Sequence, residues 1–357
     1  MKKYFLLLIL LLPINIKAIS TSASSAILMD VDSNRILYAE NINDKRSVAS
    51  ISKIMTAYLA CISLKLDDKV TIGDEIDGSY GSGIYIKKGE ILTVRDLLYG
   101  LMLRSGNDAS YAIANYIGGS TDKFVEMMND QAKKWNLKNT IFNNPNGLDE
   151  DKGNYSTAYD MAIIMSHAIK NQEFKKIVST KKYTLTTNKN TYIWYNKNKL
   201  LNSYKYATGG KTGYTIKAKR TLVNTASKDG LNLVVVTLND GNDFKDHVDL
   251  FEYGFENYKK YQILKKGNID IINDDYYDKY DFYIKNDFFY PLSEDEKELI
   301  IIKFELKKLR KVKENDNVGV LKVYLGDEQI KQEKIYIKNK EQEKISSKFK
   351  KWISNLW

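Results

Sequence analysis

The stretch Ala49-Ser50-Ile51-Ser52-Lys53-Ile54-Met55-Thr56-Ala57-Tyr58-Leu59 decides how this chain is read. Ile51, Ile54, Met55, Tyr58 and Leu59 recur at helical spacing, so a helix opens near Ser50 with an apolar stripe along it. Ser50 and Lys53 lie one turn apart and share a face. Serine is a poor nucleophile until a base takes its proton, and Lys53 is placed to be that base. A lysine near a helix N-terminus meets the positive end of the dipole, and apolar neighbours disfavour its charge. Both effects favour the neutral amine that a general base requires.

The Ser-x-x-Lys spacing alone carries little, since it recurs at Ser120/Lys123, Ser179/Lys182 and Ser347/Lys350. Two later signals give it weight. A helical pattern through Leu97, Leu98, Leu101 and Met102 ends at Arg104, and a second apolar helix begins at Asp108. Ser105-Gly106-Asn107 is therefore a tight bend between two helices, a rigid place from which to aim side chains. Lys211-Thr212-Gly213 follows Gly209-Gly210 where the apolar period has changed toward two, so Lys211 lies on or at the mouth of a strand.

Working outward, Ala26 to Val31 and Arg35 to Tyr38 flank Asp32-Ser33-Asn34 and read as a hairpin. Thr221-Leu222-Val223 and Leu233 to Leu238 are strands flanking Asp229-Gly230, a strong hairpin signal. Between these ends lie amphipathic helices at Phe124 to Trp135 and from Ser156 or Thr157 to Ala168, with Asp160 in the first turn of the latter. Sheet strands at both ends with helices between them give an α+β class, an antiparallel sheet with packed helices. Beyond about Tyr258 the pattern is strand-like and charged, which predicts a small all-β domain over 258–340 after a catalytic domain over 19–257.

The two ends carry other signals. Lys2 and Lys3 precede an apolar run from Phe5 to Pro13, and Ala18 is a small residue before a cleavage point, so residues 1–18 read as an export signal. In residues 341–357, Ile345, Phe349, Trp352, Ile353 and Leu356 form one helical stripe flanked by Lys344, Lys348, Lys350 and Lys351. That is the composition of a helix lying in an anionic membrane surface, and it is too short to span one. The formal net charge of +10, carried largely by lysine, suits an exported protein near an anionic membrane or wall better than a nucleic-acid binder. The single cysteine, Cys61, excludes an internal disulfide and reads as a small buried side chain. With only His167 and His247, a zinc site or a Ser-His-Asp triad is not expected, and no metal or cofactor is assigned.

These motifs resemble those of the D-alanyl-D-alanine carboxypeptidases, the low-molecular-mass penicillin-binding proteins, whose fold is shared with serine β-lactamases. The likeness extends through Thr93 to Gly100, Asn144-Pro145-Asn146-Gly147-Leu148, Tyr155 to Met161, Gly210 to Thr215 and the later segment around Lys265-Lys266-Gly267 and Asn317 to Tyr324. The resemblance implies that Ser50 attacks the carbonyl between two terminal D-alanines of a peptidoglycan stem peptide. Lys53 would take its proton, and Ser105 would relay protons toward the leaving amine. The backbone N–H groups of Ser50 and Tyr214 would form the oxyanion hole. Lys211 and Thr212 would hold the terminal carboxylate, Asn107 the substrate amide, and Gly213 would leave room for the substrate as an added strand. β-Lactam antibiotics would acylate the same serine, and the enzyme would work on the outer face of the cytoplasmic membrane or be secreted.

Departures from the family pattern are Val48 where proline is usual, Asn146 and Asn154 where histidines are common, and Lys219-Arg220 in place of a small, glycine-containing step. Three competing readings are a class A β-lactamase, a D,D-endopeptidase and a non-catalytic wall-binding protein. The first needs a deacylating glutamate, and Glu150 with Asn154 imitates that spacing but has Gly153 where an apolar residue is expected.

Overall fold

The structure is a computed structural model describing residues 19–149, 152–270, 272 and 274–340. The export segment over 1–18 and the amphipathic stretch over 341–357 lie outside the described residues. The chain divides into two compact units. One runs to Lys228 and resumes over Asn232–Gly254; the other holds Asp229–Leu231 and the chain from Phe255 onward.

The first unit is built on a five-stranded antiparallel sheet. Its strands are β1 (Ser25–Asp30), β2 (Ile36–Glu40), β3 (Ala207–Thr215), β4 (Lys219–Lys228) and β5 (Leu231–Leu238), in the order β2-β1-β5-β4-β3. The register runs from Ser25 opposite Leu238 to Asp30 opposite Leu233, and from Thr215 opposite Lys219 to Lys211 opposite Val223. All six residues of β1 are buried, because the sheet is covered on both faces and alternation with polar residues is lost. The expected hairpin turn holds: Asp229 and Gly230 have φ of 49° and 81°, the paired positive values of a two-residue hairpin. β3 is left at the sheet edge.

One face is covered by helices. Among them, α1 (Lys53–Ile62) is buried on nearly every side, with Tyr58 half-buried and Ile62 exposed. A helix buried all round sits in the core rather than on it. Around it pack α2 (Val94–Tyr99), α3 (Asn107–Gly118), α4 (Thr121–Lys134), α5 (Ala158–Ala168) and α6 (Gln172–Ser179). Thr93 and Asp96 form a reciprocal capping box at the start of α2, and Thr157 Oγ1, one of the two caps read from the sequence for α5, accepts from Asp160 N–H at 3.0 Å. Ser120 caps α4 by accepting from Lys123 N–H at 3.2 Å, so that Ser-x-x-Lys match is a helix start and nothing more. The other face of the sheet meets α7 (Asp243–Asn257), in which Leu250 and Phe251 are fully buried. The contact is close: a Cβ on Gly254 would lie 2.7 Å from Leu233 and 3.0 Å from Leu28.

Both histidines are structural. His167 stacks on Trp135 with ring centroids 4.3 Å apart, and His247 is buried between Asn224 (3.2 Å) and Thr237 (3.1 Å), with burial holding its pKa near 3. Cys61 is buried and its thiol is pushed up to about 12, first by that burial, so it behaves as the small apolar group expected.

The second unit is all-β. A two-stranded pair joins β6 (Lys259–Leu264) to β9 (Phe288–Leu292). A five-stranded sheet joins β7 (Gly267–Asn268), β8 (Tyr280–Ile284), β12 (Glu328–Asn339), β11 (Asn317–Leu325) and β10 (Ile300–Leu306), in that order. Val318, Leu321, Val323, Ile335 and Ile337 alternate inward and form its core with Tyr277 and Phe282. Among the described residues no helix is long and apolar enough to cross a membrane.

Candidate active site

Ser50 sits in a short 3₁₀ turn, Ala49–Ser52, that leads directly into α1. The turn is bent by Ala49, a non-glycine residue at φ 48°, and such a conformation persists only where the surroundings enforce it. Gly147 supplies that enforcement. Its φ is 85°, and a Cβ there would fall 2.0 Å from the Ala49 carbonyl oxygen, so only glycine lets the Asn144–Leu148 loop press on the turn.

Lys53 is the first residue of α1 and is fully buried. Its Nζ lies 3.0 Å from Ser50 Oγ and 2.8 Å from Asn107 Oδ1, and it also donates to the Asn146 carbonyl. Burial holds its pKa well below the ordinary amine value, and the charges of Lys211 and Lys197 push the same way. The direction is the one a general base requires, and burial is its largest cause.

Ser105 has the left-handed conformation (φ 66°, ψ 33°) at the end of a wide π-helical turn, Gly100–Arg104. Its Oγ accepts from Lys211 Nζ at 3.0 Å, and Lys211 also donates to the Thr212 carbonyl at 2.6 Å. Lys211 is 2% exposed, and burial followed by the charge of Lys197 lowers its pKa to about 7. The site therefore contains two serine–lysine pairs, Ser50–Lys53 and Ser105–Lys211. Among the described residues no hydrogen bond links one pair to the other.

Both serines open onto one cleft of about 390 Å³, lined also by Thr212, Gly213, Tyr214 and Lys197. Gly213 brings edge strand β3 against the nucleophile turn. A Cβ there would lie 2.4 Å from Thr221 Oγ1 and 3.1 Å from Ser50 N. Tyr214 is 63% exposed, lines the cleft and follows Gly213 on the edge strand. Asn107 is committed within the protein: Oδ1 accepts from Lys53, and Nδ2 donates to the Tyr80 carbonyl at 2.5 Å.

Every residue singled out in the sequence thus falls in or beside one cleft. Lys197 and Asp243 had no signal in the sequence, and Arg220 was marked there only as a departure from the family pattern. Lys197, whose Nζ is 3.1 Å from Ser82 Oγ, enters from a loop far from any motif. Arg220 and Asp243 line the far wall as an ion pair, with Nη2–Oδ1 at 2.6 Å and Nε–Oδ2 at 3.1 Å. Lys219, by contrast, is exposed at φ 58°, the conformation that a glycine would adopt more readily. The other departures have local accounts. Val48 donates its N–H to the Asn154 carbonyl at 3.3 Å, a bond proline has no donor to make. Asn154 also ties the loop together, accepting from Asn143 N–H at 2.7 Å and donating to the Asn144 carbonyl at 2.9 Å. Asp149, beside the candidate lactamase glutamate, is spent on Ser47 at 2.6 Å and on Thr215; Glu150 itself lies outside the described residues.

Comparison with known proteins agrees with this geometry. Residues 14–242 match the family model described as D-alanyl-D-alanine carboxypeptidase, and residues 258–343 match penicillin-binding protein 5, C-terminal domain. A curated relative, D-alanyl-D-alanine carboxypeptidase DacF of Bacillus subtilis, is 36% identical over 254 residues, covering 69% of this chain and 65% of the relative. The chain spans just under two thirds of the length of the curated relatives it matches most strongly. Among solved structures, penicillin binding protein 5 from Haemophilus influenzae aligns with a TM-score of 0.77 at 29% identity, covering 91% of this chain and 98% of that one. Penicillin binding protein 6B from Escherichia coli aligns at 0.71 and 30% identity, covering 90% and 97%.

Proposed function

This chain belongs to the D-alanyl-D-alanine carboxypeptidase family, and on that premise we propose that it removes the terminal D-alanine from peptidoglycan stem pentapeptides through an acyl-enzyme on Ser50. The observation that carries the proposal is the fully buried Lys53, whose Nζ stands 3.0 Å from Ser50 Oγ and whose charged form is disfavoured by burial. An amine in that state takes the hydroxyl proton as the oxygen attacks the scissile carbonyl. The backbone N–H groups of Ser50 and Tyr214 receive the developing oxyanion, where preorganised donors act most strongly. The Ser105–Lys211 pair delivers a proton to the departing amine. Lys211 and Thr212 hold the terminal carboxylate by charge-assisted hydrogen bonds. Gly213 lets the substrate lie along the β3 edge, and Asn107 sets Lys53 through Oδ1 and has the second hydrogen of Nδ2 for the substrate amide. Water then releases the acyl group.

β-Lactams fit the same scheme, with a strained amide in place of the peptide and the ring carboxylate in place of the terminal one. The proposed organisation has an export signal over 1–18, the peptidase domain over 19–257, a β domain over 258–340 and an in-plane helix over 341–357. The apolar stripe and lysines of the last segment support attachment to an anionic membrane surface, on the outer face of the cytoplasmic membrane. The deciding experiment is mass spectrometry of a purified muropeptide pentapeptide after incubation with the protein. Loss of one D-alanine is expected; cleavage of a cross-linked dimer without that loss would make the enzyme an endopeptidase instead.

A further inference from the structure

Asp108 follows the Ser105-Gly106-Asn107 bend and is 4% exposed, yet no lysine or arginine pairs with it among the described residues. Its carboxylate is surrounded by backbone donors from one loop. Ile84 N–H lies 3.0 and 3.1 Å from its two oxygens, Tyr85 N–H 2.7 Å and Ile86 N–H 3.3 Å from Oδ2, and Ala109 N–H 2.9 Å from Oδ1. Tyr85 takes φ 62° to allow this, an uncommon conformation for a bulky residue. The same loop then returns to the bend: the Tyr80 carbonyl accepts from Asn107 Nδ2 at 2.5 Å, and the Ser82 carbonyl from Asn107 N–H at 2.8 Å. Asn107 Oδ1 in turn holds Lys53. Ser82 also lines the cleft, so the clamped loop forms part of its wall.

We propose that Asp108 is the positioning residue of the catalytic base: its buried carboxylate fixes the Tyr80–Ile86 loop, which orients Asn107 onto Lys53, and supplies the negative charge that balances Lys53 when it accepts the Ser50 proton. A base oriented by a third group is the general logic of nucleophile activation, and here an anion one residue past the bend fills that place. The charges that act on Lys53 are the cations of Lys211 and Lys197, which disfavour its ammonium form, and Asp108, which favours it. Removing the Asp108 charge leaves Lys53 facing cations alone. The base becomes weaker, and the ammonium formed in the transition state is less stable.

The inference rests on Ser50–Lys53 being the acylating pair, and the test separates the two. Labelled penicillin is reacted with the full chain from pH 4 to 9, and the acylation rate is followed; a wild-type protein that takes no label would overturn the reading of the pair itself. Given a wild-type profile, Asp108→Asn is expected to slow acylation at least tenfold and to move the acid limb to lower pH. Asp108→Glu keeps the charge but misplaces the loop, so the rate falls while the limb stays at its wild-type position. A merely structural role would slow both variants and move neither limb, and that result overturns the proposal, as does an Asp108→Asn rate within twofold of wild type. Should Asp108→Asn fail to fold, Asp108→Ser takes its place as the uncharged variant: a slowed rate with the acid limb at lower pH supports the proposal, and an unmoved limb or a rate within twofold of wild type overturns it.

Discussion

Replacing Lys211 with methionine is expected to make the protein more stable at pH 7 while disabling it. Lys211 is 2% exposed, and its pKa falls from the ordinary 10.5 to about 7, chiefly by burial. At about 1.4 kcal/mol per pH unit, housing this amine costs the fold up to about 5 kcal/mol at pH 7. Methionine keeps the length and apolar stem but loses the bonds to Ser105 and Thr212. Those bonds offset about 1 kcal/mol each, which leaves a net gain of roughly 2–3 kcal/mol. For a domain of this size that raises Tm by roughly 5–10 °C. The sign of the pH dependence follows from linkage. Between pH 7 and 10.5 the unfolded chain binds the proton and the folded one does not, so wild-type stability rises across that window. The methionine variant lacks this contribution, so its advantage is largest at and below pH 7, vanishes near about pH 9, where the cost has fallen to the roughly 2 kcal/mol of the lost bonds, and becomes a deficit by 10.5. Thermal melts of both proteins from pH 6 to 10.5, with labelled penicillin as the activity readout, make the comparison. A variant no more stable than wild type at pH 7, or an advantage independent of pH, would refute the reasoning.

Five further outcomes are expected. Ser50→Ala should leave the melting curve near wild type and abolish labelling by penicillin; label found on another serine would remove Ser50 as nucleophile. Lys53→Ala should slow acylation by every donor by roughly 10²–10⁴. For wild type, kcat/KM toward carboxylate-bearing donors should decline above about pH 7 as Lys211 loses its charge, while uncharged donors show no such decline, and parallel profiles would contradict the carboxylate role. Gly213→Ala should impair acylation at least as much as binding, because the added Cβ meets Thr221 and the Ser50 amide at 2.4 and 3.1 Å; wild-type acylation by this variant would show that the close approach is dispensable. A chain ending near Lys340 should lose salt-sensitive co-sedimentation with anionic vesicles, and equal binding by both forms would exclude the terminal stripe as an anchor.

Much of this was legible in the sequence because it depends on local spacing. The helix pattern after Ser50, the bend at Ser105-Gly106-Asn107, the Thr157 cap and the Asp229-Gly230 hairpin all involve residues within one turn or one hairpin of each other. The order of the three motifs along the chain sufficed to propose the chemistry. What the tertiary structure alone decided was the electrostatic state of the site. The apolar residues after Ser50 already pointed to a neutral Lys53, but how completely α1 and β3 bury Lys53 and Lys211, and which cations face them, depends on the fold. Lys197 and Asp243 join the cleft from segments whose sequence is ordinary, and Arg220, a visible departure beside the third motif, meets Asp243 only in the fold. Asp108 reads in the sequence as the first residue of an apolar helix. Only the folded loop at Ile84–Ile86, 22–24 residues upstream, makes it a buried anion at the end of the chain of contacts leading to the base. Spacing fixes which groups share a helix face, whereas desolvation and distant charge set their pKa values, and those depend on contacts between residues far apart in the chain.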